Sequence, residues 1–164
     1  MLIDVKPILH TPGGERTFQF ELDLSDMEFA GRYPISRPVI VEGVVRNRAE
    51  LLSLELTAYT TLDAVCDRCA EPFSKSFRVP VSHILVNELN NEDNDEYIVV
   101  PSMELDIEQL TLEDIYLYLP SKLLCKEDCK GVCPSCGANL NKAQCSCKKA
   151  VDPRFEALLS LLDE

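Results

Sequence analysis

Residues 15–24 alternate: Phe18, Phe20, Leu22 and Leu24 fall on one side of an extended chain and polar residues on the other. This period of two is that of a half-buried strand, and Pro12-Gly13-Gly14 before it reads as a turn. Residues 26–38, with Gly31, Pro34 and Pro38, are irregular. Val39, Val41, Gly43 and Val45 mark a second strand whose other face carries Glu42, Arg46 and Arg48. The third is the clearest: Leu52, Leu54, Leu56, Ala58, Thr60, Leu62 and Ala64 alternate with Ser53, Glu55, Thr57, Tyr59, Thr61 and Asp63. Asn47 to Glu50 is the predicted turn between them. Phe73 to Val86 resumes as a fourth strand, in which Pro80 implies an edge or a bulge. The short segment Cys66-Asp-Arg-Cys69 then sits at the tip of a hairpin.

Residues 87–96 form a polar, acidic run of the kind that stays solvated, and no calcium-loop spacing occurs in it. Tyr97 to Val100 predicts a short strand. Asp106-Ile-Glu-Gln109 reads as a helix start with a variant capping box. Ile107, Leu110, Asp114 or Ile115, and Tyr118 follow at helical spacing, and Pro120 ends the run. Asp152-Pro153-Arg154 predicts a second helix, with Ala157, Leu158, Leu161 and Leu162 as its apolar stripe. The expected class is α+β: an antiparallel sheet body with one or two helices and a C-terminal cysteine-rich, zinc-binding segment. Residues 1–121 make the body and residues 122–164 the zinc-ribbon-like segment with its terminal helix, packed as one domain.

The chain has 164 residues, enough for one domain of ordinary size. Its start lacks a basic region followed by an apolar run, and no stretch approaches 18 apolar residues. A cytoplasmic location away from membranes is therefore expected, where thiols stay reduced. The net charge is −12, unevenly spread. Residues 1–121 carry 9 Lys and Arg against 22 Asp and Glu, whereas residues 122–149 carry 6 lysines against Glu127 and Asp128. The acidic total argues against nonspecific coating of nucleic acid but leaves room for a local contact through the basic segment.

The candidate chemistry lies in eight cysteines. Cys66 and Cys69 stand apart, while Cys125, Cys129, Cys133, Cys136, Cys145 and Cys147 crowd into 23 residues. Knuckles of the form C-x-x-C with further cysteines nearby hold tetrahedral zinc, four ligands to a closed site. Cys133-Pro-Ser-Cys136-Gly137 is a ribbon-type knuckle, and Cys145 and Cys147 are near enough in sequence to complete it. Cys66, Cys69, Cys125 and Cys129 would then form a second site. A rival division joins the two knuckles, Cys66, Cys69, Cys133 and Cys136. Either way the expected cofactor is Zn2+, two structural ions. Residues 122–149 hold few large apolar side chains beyond Leu123, Leu124, Val132 and Leu140, so this segment depends on metal for its fold.

Other uses of the thiols are weaker. A thioredoxin-like dithiol opens a helix in an α/β unit, and here a hairpin surrounds the pair. A disulfide scaffold does not suit a reducing compartment. Iron–sulfur ligation by four thiolates is a further option. A catalytic zinc needs an open position and a base, which an all-cysteine set does not provide. His10 and His83 stand alone and read as surface or core residues. With no nucleophile elbow, phosphate loop or zinc-protease helix, no enzyme is nominated.

Three runs together carry a resemblance: Cys66-Asp-Arg-Cys-Ala-Glu-Pro-Phe73 after the alternating strand; Leu124-Cys-Lys-Glu-Asp-Cys-Lys-Gly-Val-Cys-Pro-Ser-Cys-Gly-Ala-Asn-Leu-Asn141; and Cys145-Ser-Cys147 with Val151-Asp-Pro-Arg-Phe155. They resemble the bacterial YceD family, named for large ribosomal RNA subunit accumulation. The resemblance implies a role in synthesis, processing or stability of large-subunit ribosomal RNA, with that RNA or a ribosomal or assembly protein as partner. It implies no catalytic residues. Lys130, Lys142, Lys148 and Lys149, together with Arg46 and Arg48, are the candidate contacts to phosphate, and each is also an ordinary solvated side chain in kind. Two further readings remain open: an acidic protein-binding adaptor acting on RNA indirectly, and a thiol redox or metal-sensing protein.

Overall fold

The computed structural model describes residues 1–48, 51–88 and 97–147. Its elements are β1 (Leu2–Asp4), α1 (Lys6–Leu9), β2 (Glu15–Leu22), β3 (Val39–Arg48), β4 (Leu51–Val65), β5 (Pro72–Val86), β6 (Tyr97–Val99), β7 (Glu104–Asp106) and α2 (Ile107–Tyr118). The predicted helix at residues 152–162 and most of the acidic run lie outside the described residues.

Two compact units divide the chain, one of residues 1–64 and 73–121, the other of residues 65–72 and 122–164. The first is built on a five-stranded sheet of order β2-β3-β4-β5-β6. Its β2–β3 and β3–β4 ladders are antiparallel, with Val41 opposite both Phe20 and Ala58. This register puts every second residue on one face, and Val39, Val41, Val45, Leu52, Leu54, Leu56, Ala58 and Leu62 are buried there. Among the described residues, β6 pairs in parallel with Ile84–Val86 and not with the stretch of β5 around Pro80, where a strand proline is tolerated.

Gly43 marks a close approach. A Cβ there would stand 2.4 Å from the Phe18 ring and 2.8 Å from Leu56 Cβ. The glycine lets the Phe18 ring lie across β3, which is why the alternating pattern carries a residue without a side chain at this point.

Three short elements escape the period-two and helical patterns. β1 and β7 form a separate two-stranded antiparallel sheet, and α1 spans only four residues. Asn47, expected in a turn, belongs to β3 and is buried. Its Nδ2 donates to the carbonyls of Ile8, 2.9 Å, and Leu9, 2.7 Å, at the end of α1. A buried amide is tolerated because its Nδ2 finds two acceptors, the Leu9 carbonyl and the Ile8 carbonyl that also takes the Thr11 N–H.

α2 begins as the sequence predicts, with the Asp106 side chain accepting from the Glu108 and Gln109 N–H groups. Among the described residues no bond runs from the Asp106 N–H back to Gln109, whose Nε2 donates to Glu113 one turn on. Ile107, Leu110, Thr111 and Ile115 are buried. Asp114 is not apolar filling: both of its carboxylate oxygens lie 3.0 Å from His83 Nε2 on β5. Burial raises the Asp114 carboxyl above its ordinary value, and His83 pulls it back. His83 is thus paired rather than lone, while His10 is exposed. Tyr118, half exposed, packs against Phe77 of β5 with ring centroids 5.9 Å apart. No helix of the described residues is long and apolar enough to cross a membrane.

Candidate metal centre

The second unit is organised by repeated backbone geometry. In the segment from Cys66 to Glu71, the Cys66 N–H donates to the Glu71 carbonyl and the Ala70 N–H donates back to the Cys66 carbonyl. From Cys133 to Ala138 the same two bonds recur, Cys133 N–H to Ala138 and Gly137 N–H to Cys133. The residue after the second cysteine is left-handed in both, with φ of 57° at Ala70 and 74° at Gly137. The chain reverses there so that both thiols of a C-x-x-C point to one place. Each is a metal knuckle in form.

Each knuckle is completed by a different pair. Cys66, Cys69, Cys125 and Cys129 form one group, and Cys133, Cys136, Cys145 and Cys147 the other, with all Sγ atoms of a group within 4.8 Å of one another. The geometry therefore favours the division with one knuckle per group over the one that would join both knuckles. Sγ of Cys66 is 3.8 Å from that of Cys129, and Cys69 is 3.7 Å from Cys125. Four thiolates about 2.3 Å from a common tetrahedral ion stand roughly 3.8 Å apart, so this spacing suits a metal ion and is far too long for a disulfide.

The surroundings of the thiols carry the same message. Burial pushes the Cys66 thiol up, but the backbone N–H groups of Cys125, Arg68 and Cys69 outweigh it and bring it down to about 6. Cys133 is brought down to about 6 by the N–H groups of Cys136 and Ser135. Cys125 is pushed up to about 12 by burial and by the thiols of Cys66, Cys129 and Cys69. Cys147 is pushed up to about 12, chiefly by Cys136 beside it. Four thiolates in so small a space resist ionising together, and a divalent cation removes that conflict. The donor set, four soft sulfurs with amides aimed at them, fits a closed tetrahedral site.

The two groups differ in surroundings. Cys66, Cys69 and Cys129 are buried, whereas Cys136 and Cys147 are exposed. The first group also has partners the sequence reading did not single out. The Asp67 carboxylate accepts from the Leu123 N–H at 2.7 Å, docking the residues before Cys125 against the knuckle. The Arg68 guanidinium donates to the Cys129 carbonyl at 3.0 Å. Asn141 Nδ2 donates to Cys129 Sγ at 3.3 Å. Such outer contacts orient ligands. Their signal in the sequence was the polar filling between cysteines, Asp67-Arg68 and Asn139-Leu-Asn141, whose partners lie in other segments.

The basic candidates fare unevenly. Arg46 on β3 is paired with Glu15 at 3.3 Å and Glu55 at 3.0 Å. Arg48, at the end of β3, is exposed. Lys142 is paired with Glu71 at 2.7 Å. Lys130 is exposed, and among the described residues its side chain has no ion pair. Lys148 and Lys149 lie outside the described residues.

Comparison with known proteins adds the rest. The family described as Large ribosomal RNA subunit accumulation protein YceD matches residues 54–162. A Zea mays protein named Large ribosomal RNA subunit accumulation protein YCED homolog 1, chloroplastic, is 27% identical over 143 residues, covering 68% of this chain and 49% of its own length. The protein of the same name from Arabidopsis thaliana is 26% identical over 145 residues, 70% of this chain and 45% of its own. An uncharacterized protein of Mycobacterium tuberculosis is 29% identical over 101 residues, 59% of this chain and 49% of its own. The chain thus spans about half the length of the curated relatives it matches. No solved structure matches it.

Proposed function

The chain belongs to the YceD family, and from that premise we propose that it is a non-enzymatic factor in the accumulation of large-subunit ribosomal RNA, acting in the cytoplasm in synthesis, processing or stability of that RNA. The observation that carries the proposal, beside the family, is the pairing of two alike knuckles with two four-cysteine groups. In this reading each group holds one Zn2+. The ion supplies a cross-link between segments too polar to pack alone, and four thiolates complete its coordination, leaving no position for a substrate.

The role of the protein residues is then to hold a surface in shape. Leu123 is the one apolar side chain outside the cysteines that is fully enclosed among the described residues of the second unit, so sulfur does there what an apolar core does elsewhere. The proposed RNA contact is the basic segment, led by Lys130. Lys142 and Arg46 already face carboxylates and contribute less. A four-cysteine zinc site carries a formal charge of about −2, so few lysines remain uncompensated and the affinity should be modest and salt-sensitive.

The test is titration of the zinc-loaded chain against large-subunit RNA fragments across a salt series. Lys130→Glu should weaken binding and lower the slope of log affinity on log salt by about 1. An unchanged slope rejects Lys130 as a contact. No binding to any fragment, with capture of a basic ribosomal protein instead, would favour the adaptor reading, which the acidic balance of residues 1–121 supports. Two zinc ions per chain, with thiols that react only after chelation, would disfavour the redox reading; iron in their place would reassign the metal.

A further inference from the structure

Asn141 lies between Cys136 and Cys145, inside the loop that the second cysteine group closes, yet its side chain reaches the first group. Its Nδ2 donates to Cys129 Sγ at 3.3 Å. The orientation of this amide is fixed by its other end, because Asn141 Oδ1 accepts from the Lys130 backbone N–H at 3.0 Å and only the oxygen can do so. The amide is held in turn by Asn139, whose Oδ1 accepts from both the Asn141 N–H and its Nδ2 at 2.9 Å. Asn139 Nδ2 donates to Glu71, the residue whose carbonyl receives the Cys66 N–H. The next residue, Lys142, pairs with the same Glu71 carboxylate. One loop therefore touches the first group twice, at a ligand and at the end of its knuckle.

We propose that the two metal sites are thermodynamically coupled through this loop, with Asn141 as the positioning residue: an ion held by Cys133, Cys136, Cys145 and Cys147 orders residues 137–144 and so tightens the grip of Cys66, Cys69, Cys125 and Cys129 on theirs. The inference rests on the metal reading above. Its physical basis is the entropy of a short polar loop. Free, the loop must be ordered before its amide meets Cys129; closed by an ion, it has already been ordered. The coupling is reciprocal, so an ion in the first site also strengthens the second. It gives the more exposed, sequence-local site a role besides its own fold, namely control over how firmly the more enclosed site keeps its metal.

The test is anaerobic Co2+ titration of the full chain against a competing chelator, with thiolate-to-cobalt absorption as the second readout. Cys136→Ser with Cys147→Ser disables the second site, and the first should then bind cobalt about 10-fold or more weakly. Asn141→Leu, in which all eight ligands remain, should produce much of that loss by itself and shift the first site's charge-transfer band, which a loss of general stability would not move. Asn141→Asp, which still accepts from Lys130 but cannot donate to sulfur, should do the same. Adding Asn141→Leu to the disabled second site should change little more. If the first site keeps its affinity and band in Asn141→Leu and Asn141→Asp, the coupling is wrong. Two ions bound independently would overturn the coupling and leave the metal reading standing, whereas a chain that takes up neither cobalt nor zinc would remove both.

Discussion

Ala70 holds a left-handed backbone, φ 57°, at the position where the other knuckle has Gly137. A Cβ in that region costs about 1–2 kcal/mol, and glycine avoids it. Ala70→Gly should therefore raise the stability of the metal-loaded chain by about 1 kcal/mol, less whatever glycine adds to the freedom of the unfolded chain, as read by denaturant unfolding. Gly43 is the opposite case. A methyl there meets the Leu56 Cβ, which the β4 backbone holds in place, so Gly43→Ala should lower stability by about 1–3 kcal/mol in the same measurement. Asn47 shows where single residues defeat sequence reading. As an amide between two strands it looks like a turn, and what buries it is a pair of carbonyls 38 and 39 positions away. Local sequence holds no trace of such a partner.

At the scale of elements, the strands that alternate over eight residues or more were legible, since one buried face forces period two on them. β1, β7 and α1 were not, because three or four residues establish no period and, unlike β6, none of them follows a long polar run that marks its start. The knuckles were legible from C-x-x-C, and the structure adds that both use the same two backbone bonds. For α2 the cap was readable and its counterpart was not. Asp106 has its carboxyl held below the ordinary range, foremost by the Gln109 N–H, although burial opposes this. A depressed carboxyl contributes stability that is present above its ordinary value and is lost as pH falls through the depressed one. Stability should thus decline on acidification in the wild type, and Asp106→Asn, which keeps an acceptor without a charge, should flatten that part of the profile in pH-dependent thermal unfolding.

For the molecule as a whole, the division into two units follows from what each has to bury. Residues 1–64 and 73–121 enclose valines, leucines and isoleucines from β1, β3, β4, β5 and β7 and from both helices; among the described residues, the other unit encloses cysteines and Leu123. The sequence showed the poverty of apolar residues after position 121 and tied Cys66 and Cys69 to cysteines of that segment, but it drew the boundary at residue 121 and so left the hairpin tip with the body, whereas residues 65–72 belong to the second unit. Chelation should therefore act selectively. With apparent zinc energies on the order of 10–16 kcal/mol per site in small modules, removal of metal should abolish amide-exchange protection around Cys66–Glu71 and Cys125–Cys147. Protection at Val41, Leu54 and Ile115 should persist. Equal loss in both units would show that the sheet body depends on the ions as well.

The first cysteine group spans a long gap in the order of synthesis. Sixty residues separate Cys69 from Cys129, so at roughly 5–20 residues per second a nascent chain carries its first thiol pair for about 3–12 s before the matching pair is made. Through that interval the two sulfurs have no companions and stand open to oxidants or to a stray ion. The other group begins and ends between Cys133 and Cys147 and can close almost as soon as it leaves the translating ribosome.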